Sequence, residues 1–223
     1  DRRQRQMCIR DSYTLSKFSH EIRNPVTLIN SFLQLMVQDH PEISTYNYYD
    51  KIEENMTILR SLLDELTDYN HASNLCEEEI NLYLFLVKFT ESAREILKRD
   101  KIDIELQKGS AIPRIKLDPV KMNQLFSNLI RNSAEAIYPN PGKITIKILC
   151  DGCKVEIKIS DTGDGITQDQ MDNIFHPFVS YKKDGNGLGL AICDEIMKAH
   201  HGSISVISLP NEGTEFTLYF PVS

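Results

Sequence analysis

His20 sits in the run Ser19-His20-Glu21-Ile22-Arg23-Asn24-Pro25. An imidazole can act as a nucleophile, and a carboxylate next to it can accept the ring's other proton. Asn24 lies four residues on, so on a helix it shares the histidine's face. Alone, the run is also compatible with a structural histidine among apolar neighbours. A nucleophile needs something to attack, and that partner has to come from elsewhere in the chain.

Three further constellations supply candidates. A helix-like run from Asp118 to Ile137 holds Gln124, Asn128, Arg131, Asn132 and Glu135. At about 100° per residue these five fall on one side. Amide oxygens are hard donors suited to Mg²⁺, so Asn128 and Asn132, one turn apart, could hold that ion beside a nucleotide's phosphates. A solvated polar face has the same pattern. Asp161-Thr162-Gly163-Asp164-Gly165-Ile166 follows a strand-like run. Glycine there permits turns and close backbone approach, and a carboxylate at the strand's end could accept a hydrogen bond from an exocyclic amine such as adenine's. An ordinary tight loop reads the same way. Gly185-Asn186-Gly187-Leu188-Gly189-Leu190 opens a helix. Glycine-rich backbone at a helix N-terminus offers free N–H groups and a positive dipole end to an anion, and Lys182 and Lys183 just upstream could neutralise phosphate charge. The run lacks the Lys-Ser/Thr pair of a P-loop and follows no strand, so neither that motif nor a dinucleotide fingerprint is met. The stretch from Thr167 to Asn186 has few core signals and reads as a loop that orders over a ligand.

The elements that must position these groups are legible in the periodicity. Phe18, Ile22, Val26, Ile29, Leu33 and Met36 recur every three or four residues, as do Ile52, Met56, Leu59, Leu63 and Leu66. This near-heptad spacing predicts two helices packed along a seam. Pro41 punctuates the turn between them. A helical hairpin buries little by itself, and a second copy would complete a four-helix bundle; packing on the rest of its own chain is the other solution. The pattern breaks around residues 71–80, where Glu77-Glu78-Glu79 reads as a solvated linker. Beyond it, Leu84 to Arg99 and Leu188 to Ala199 read as helices, as does Asp118 to Ile137 with Asp118 as N-cap and Pro119 in first position. Lys101 to Gln107, Lys143 to Leu149, Lys154 to Ser160, Ser203 to Ser208 and Thr214 to Phe220 alternate as strands. Helices separated by hairpins predict a two-layer α/β sandwich.

Bulk properties exclude several classes. Of 223 residues, 41% are hydrophobic and 26% charged, as in ordinary globular proteins. The formal net charge of -7 argues against a nucleic-acid binder. No apolar stretch approaches the roughly 18 residues of a membrane span, so this segment is expected to make no membrane contact. The five cysteines are scattered and imply no disulfide framework. Cys150-Asp151-Gly152-Cys153 fits a hairpin turn better than a redox or metal site. Residues 1–12 resemble the translation of adapter DNA at the end of an assembled fragment and are expected to be non-native, with the true N-terminal part missing.

The four constellations in this order resemble the catalytic core of a bacterial sensor histidine kinase of the two-component type, over essentially Ser12 to Ser223. The His20 run resembles the family's H box, and Asn128-Leu129-Ile130-Arg131-Asn132-Ser133-Ala134-Glu135-Ala136 its N box. Asp161 to Gly165 and Gly185 to Leu190 resemble its first two glycine boxes, Phe175-His176-Pro177-Phe178 its F box, and Gly213-Thr214-Glu215-Phe216 its last box. Nitrogen-regulation and sporulation kinases are most similar.

The resemblance implies a dimeric helical hairpin, residues 13–75, that receives and passes on a phosphoryl group. It implies an ATP-binding α/β sandwich of the histidine kinase, gyrase and chaperone type over 76–223. ATP is then expected against Asn128, Arg131, Asn132, Glu135, Asp161, Gly163, Gly165, Ile166, Phe178, Lys182, Gly185, Gly187, Leu188, Gly189 and Thr214, with Mg²⁺ on Asn128 and Asn132. His20 is the expected phosphoacceptor, Glu21 its base, and Asn24 a positioner of water for dephosphorylating the partner. The expected partners are a second copy and the receiver domain of a response regulator, and the expected location is the cytoplasm, with any membrane anchor upstream. Two departures stand out: Asn186 where the family usually has threonine or serine, and Tyr181 in a Thr-Thr-Lys-like stretch that otherwise keeps Ser180 and Lys182. The competing readings are a phosphotransfer relay whose ATP site has decayed and a general ATPase of the gyrase or chaperone type. The near-intact boxes argue against the first and the His20 hairpin against the second.

Overall fold

A computed structural model describes residues 2–109, 111–182 and 185–222, with side chains for all of these except 2–18 and 20. The chain divides into two compact units, residues 1–71 and 72–223.

The first unit is a helical hairpin. Helix α1 (Arg2–Asp39) leads through a short 3-10 turn (Pro41–Thr45) into α2 (Tyr49–Asn70). Pro25 sits inside α1, where its missing N–H removes one bond from the helical ladder. Val26, Met56 and Leu63 are buried between the helices, with Ile22 and Leu33 packed on them. The expected seam therefore splits. Part of it closes the hairpin, while Ile29, Met36, Ile52 and Leu59 of that seam, with Phe32 and Ile58 beside them, stay 36–60% exposed and form an outward apolar stripe.

Arg23 adds a polar clamp beside the His20 turn. One guanidinium nitrogen donates to Asp64 Oδ1 at 2.8 Å, Thr67 Oγ1 at 2.9 Å and Leu63 O at 3.3 Å. The carboxylate end is largely exposed, which limits its worth. Arg23→Ala is expected to destabilise the hairpin by about 1–2 kcal/mol in chemical denaturation, mainly through the lost charge-assisted bonds.

The second unit is the two-layer sandwich expected from the pattern. Its elements are β1 (Glu78–Asn81), α3 (Leu82–Leu97), β2 (Ile102–Lys108), β3 (Arg114–Leu117), α4 (Pro119–Ile137), β4 (Gly142–Cys150), β5 (Lys154–Asp161), α5 (Gln168–Met171), α6 (Gly189–Ala199), β6 (Ser203–Leu209) and β7 (Gly213–Pro221). The main sheet runs β2-β4-β5-β7-β6, with β2 and β4 parallel and every other pair antiparallel. Alternation builds the core. Ile144, Ile146 and Ile148 of β4, Val155, Ile157 and Ile159 of β5, and Phe216, Leu218 and Phe220 of β7 are all buried. Helix α3 packs on β2, α4 on β4 and β5, and α6 on β6.

One expectation needs correction. The acidic stretch read as a solvated linker is in part a strand: Glu78–Asn81 pairs antiparallel with β3, and Ile80 sits opposite Ile115. The glutamates remain exposed, so the backbone ladder rather than an apolar face makes this strand, and no alternation announces it. Among the described residues, Cys76, Cys150, Cys153 and Cys193 form no disulfide. Asp151 Oδ1 accepts from the N–H groups of Cys153 and Lys154, as a tight turn requires. Among those residues, no helix is long and apolar enough to cross a membrane.

Candidate functional site

Helix α4 is the centre of the site. Asp118 caps it, accepting from the N–H groups of Val120 and Lys121 at 2.9 and 3.1 Å. Met122, Leu125, Phe126, Leu129, Ile130 and Ile137 bury its apolar stripe. That burial turns Asn128, Asn132 and Glu135 toward the glycine-rich start of α6 and the segment before it. Asn128 donates through Nδ2 to Gly189 O at 3.3 Å and accepts at Oδ1 from Arg131 at 3.2 Å. Lys182 reaches Asn132 Oδ1 at 3.4 Å and forms an ion pair with Glu135. Both amide oxygens thus already face cationic groups. This donor set suits a hard divalent ion that takes its remaining ligands from phosphate and water. No cluster of three acidic, histidine or cysteine side chains among the described residues could hold an ion unaided.

The second cluster surrounds Asp161, at the end of β5 and only 7% exposed. Its Oδ1 accepts from Gly163 N at 2.9 Å and Thr214 N at 3.2 Å, and its Oδ2 accepts from Ser133 Oγ at 3.0 Å. Burial pushes this carboxyl above the usual range, against the pull of the Gly163, Ser133 and Thr214 donors and of the nearby Lys182 charge. A carboxylate oxygen has two lone pairs, so Oδ2 keeps the capacity to accept one more donor.

The expected residues fall into place unevenly. Gly163 abuts Ala136 of α4, and Ile166 donates its N–H to Ser208 Oγ at 2.8 Å. Gly165 has φ +71°, and a Cβ there would lie 2.1 Å from Leu209 O. Gly187, at φ +70°, would put a Cβ 2.6 Å from the Val179 backbone, and its carbonyl accepts from Phe178 N. The loop between the glycine boxes contains a one-turn helix, α5, closed by a capping box at Thr167. Gly185 lies at its far end, close to Ser180. Leu188 is buried, so its side chain belongs to the core and only its backbone opens α6. The Phe178 ring is 62% exposed. Lys183 lies outside the described residues, as does the side chain of His20; Glu21 and Asn24 are exposed on α1.

Sequence reasoning passed over Ser133 and Ser208. Ser133 had a signal: it sits on the apolar stripe of α4, where a buried hydroxyl needs a partner. Ser208 becomes visible only once its register opposite Thr214 is known. Cys193, beneath Asn128, has its thiol pushed up to about 12 by burial, which keeps it protonated and unreactive.

Two family models match the chain. The His Kinase A (phospho-acceptor) domain covers residues 12–74, and the histidine kinase-, DNA gyrase B- and HSP90-like ATPase covers 117–223. The chain belongs to the sensor histidine kinases. Sporulation kinase D of Bacillus subtilis (strain 168) is 31% identical over 92% of this chain and 40% of its own length. Sensory histidine kinase/phosphatase NtrB of Vibrio alginolyticus is 32% identical over 92% of this chain and 60% of its own. The chain therefore spans about half the length of the curated sensor kinases it matches. The crystal structure of histidine kinase ThkA in complex with response regulator protein TrrA superimposes with a TM-score of 0.68 at 26% identity, covering all of this chain and 64% of that one.

Proposed function

We propose that this chain is an ATP-dependent protein histidine kinase core that phosphorylates itself on His20 and passes the group to an aspartate of a response-regulator receiver domain. The observation that carries the reading is the caged Asp161 carboxylate, with an oxygen still able to accept an amine, held against the same helix that offers the Asn128 and Asn132 amides. Residues 13–75 act as the dimerisation and phosphotransfer domain and residues 76–223 as the ATP-binding domain. The match to the ATPase family over residues 117–223 and the likeness to the kinase/phosphatase NtrB support it. The outward apolar stripe on the hairpin supports a homodimer, since a second copy would cover it.

In this scheme Asp161 receives the exocyclic amine of adenine. Lys182, exchanging Glu135 for phosphate, and the backbone N–H groups from Gly187 to Gly189 meet the phosphate chain. Asn128, with Asn132, would hold Mg²⁺, which when bound neutralises phosphate charge. An imidazole nitrogen of His20 forms the N–P bond as the γ-phosphoryl leaves ADP, and Glu21 takes the proton from the ring's other nitrogen. Asn24 positions water for dephosphorylating the receiver. The reaction belongs to the cytoplasm, where ATP is supplied.

Label from γ-labelled ATP should appear on the protein in an acid-labile, alkali-stable form. A folded protein that releases phosphate without taking label would instead be a general ATPase. Asn128→Asp sets a carboxylate against the Gly189 carbonyl and removes the amide donor. Mg-dependent nucleotide affinity is expected to fall by at least about tenfold, read by calorimetric titration.

A further inference from the structure

Capping a helix takes one acceptor oxygen, and asparagine or serine serves as well as aspartate. Asp118 has a second oxygen, and the fold uses it. Oδ2 accepts from Cys76 N at 2.7 Å, in the segment that enters this unit from the hairpin. That segment then zips antiparallel onto β3, with Glu78 opposite Leu117, and β3 runs straight through Asp118 into α4. The Asp118 N–H donates to Nε2 of buried His200 at 3.0 Å, so that nitrogen carries no proton, and Nδ1 donates to Ile196 O at 2.8 Å. His200 closes the C-terminal end of α6, whose first residue, Gly189, accepts from Asn128. Asp118 is 4% exposed and thus joins three elements: the entering connector and both helices of the nucleotide site.

We propose that Asp118 is a positioning residue that couples the connector to the nucleotide-bearing helices, so that nucleotide occupancy and the connector's hold on the unit bias one another. The proposal rests on the nucleotide-binding reading above. Coupling of this kind is reciprocal, so what the connector does to the site, the nucleotide must do to the connector.

Two substitutions break the bond from opposite ends. Asp118→Asn keeps an oxygen for the cap and turns an amide donor toward the Cys76 N–H. Cys76→Pro removes that N–H and leaves Asp118 untouched. Cys76→Ala keeps the N–H and is the control. Hydrogen exchange of peptides spanning residues 72–81 is measured in the 223-residue chain with and without Mg²⁺ and a non-hydrolysable ATP analogue, after a titration has established binding and a melt has established folding. The native chain and Cys76→Ala should exchange at least about threefold more slowly with the nucleotide, and Asp118→Asn and Cys76→Pro should show no such slowing. If either of these fails to fold, the other decides. Equal slowing in all variants, or none in a native chain that binds the analogue, overturns the coupling. A native chain that shows the slowing but takes no label on His20 overturns the kinase reading and leaves the coupling standing. A native chain that binds no analogue overturns both, and the titration alone reveals it.

Discussion

Asp161→Asn is expected to lose nucleotide affinity by about a hundredfold or more while melting no lower than the native chain. The two halves of this expectation have separate causes. The carboxylate is buried and tolerated through three donors, from Gly163, Thr214 and Ser133. Asparagine keeps Oδ1 for the two backbone donors, and the Ser133 hydroxyl can rotate to accept from the new amide. The fold thus loses a buried charge and few bonds. What disappears is the second acceptor oxygen, the one available to an exocyclic amine. The sign of the pH effect follows. Because the folded carboxyl titrates above the usual range, its contribution to stability is present at low pH and is lost as pH rises through the raised folded value. The stability advantage of Asp161→Asn should therefore be largest at neutral pH and shrink on acidification. Calorimetric titration and melts across pH check both parts. Nucleotide binding retained within threefold would remove Asp161 from the base site.

His20→Gln is expected to bring phosphate incorporation down to background with nucleotide affinity changed by less than about twofold. Glutamine is a good helix former, so α1 should persist, and its amide nitrogen is no nucleophile at phosphorus. The groups proposed to bind nucleotide all belong to the second unit, residues 72–223, whereas His20 belongs to the first. Label on the variant would assign the phosphoacceptor to another residue. Loss of nucleotide binding along with the label would point to a folding defect, which circular dichroism would detect.

The helices and the main sheet were readable because each announces itself by a period. The near-heptad stripe gave α1 and α2, and Asp118-Pro119 gave the start of α4. What the pattern hid has physical reasons. β1 is made by backbone bonds to β3 along a largely exposed glutamate run, which says nothing about a ladder, and β3 spans only four residues, with Ile115 and Leu117 buried, too short for its alternation to stand out. The seam residues could not reveal which of them close the hairpin and which look outward, since both kinds share one period. At the site, the amide face and Asp161 were visible as residue types after a helix start and a strand end. Ser208 and His200 act through partners 6 and 82 residues away, and such distances appear only in the folded register.

The segment between the two glycine boxes has one more consequence, for how such a chain can change over time. It lies within the excursion from β5 to β6, and β5 pairs not with β6 but with β7. The strands that flank the excursion are anchored by the sheet, so the segment between Thr167 and Leu188 is a loop whose ends are already fixed. The entropy of closing such a loop grows only logarithmically, at about 0.6 kcal/mol for each doubling in length. Insertions and substitutions there leave the β ladders intact. Length in this segment can therefore vary at little cost to the sheet, while Gly187, whose φ of +70° leaves no room for a Cβ, and Lys182, paired with Glu135 of α4, hold its far end in place.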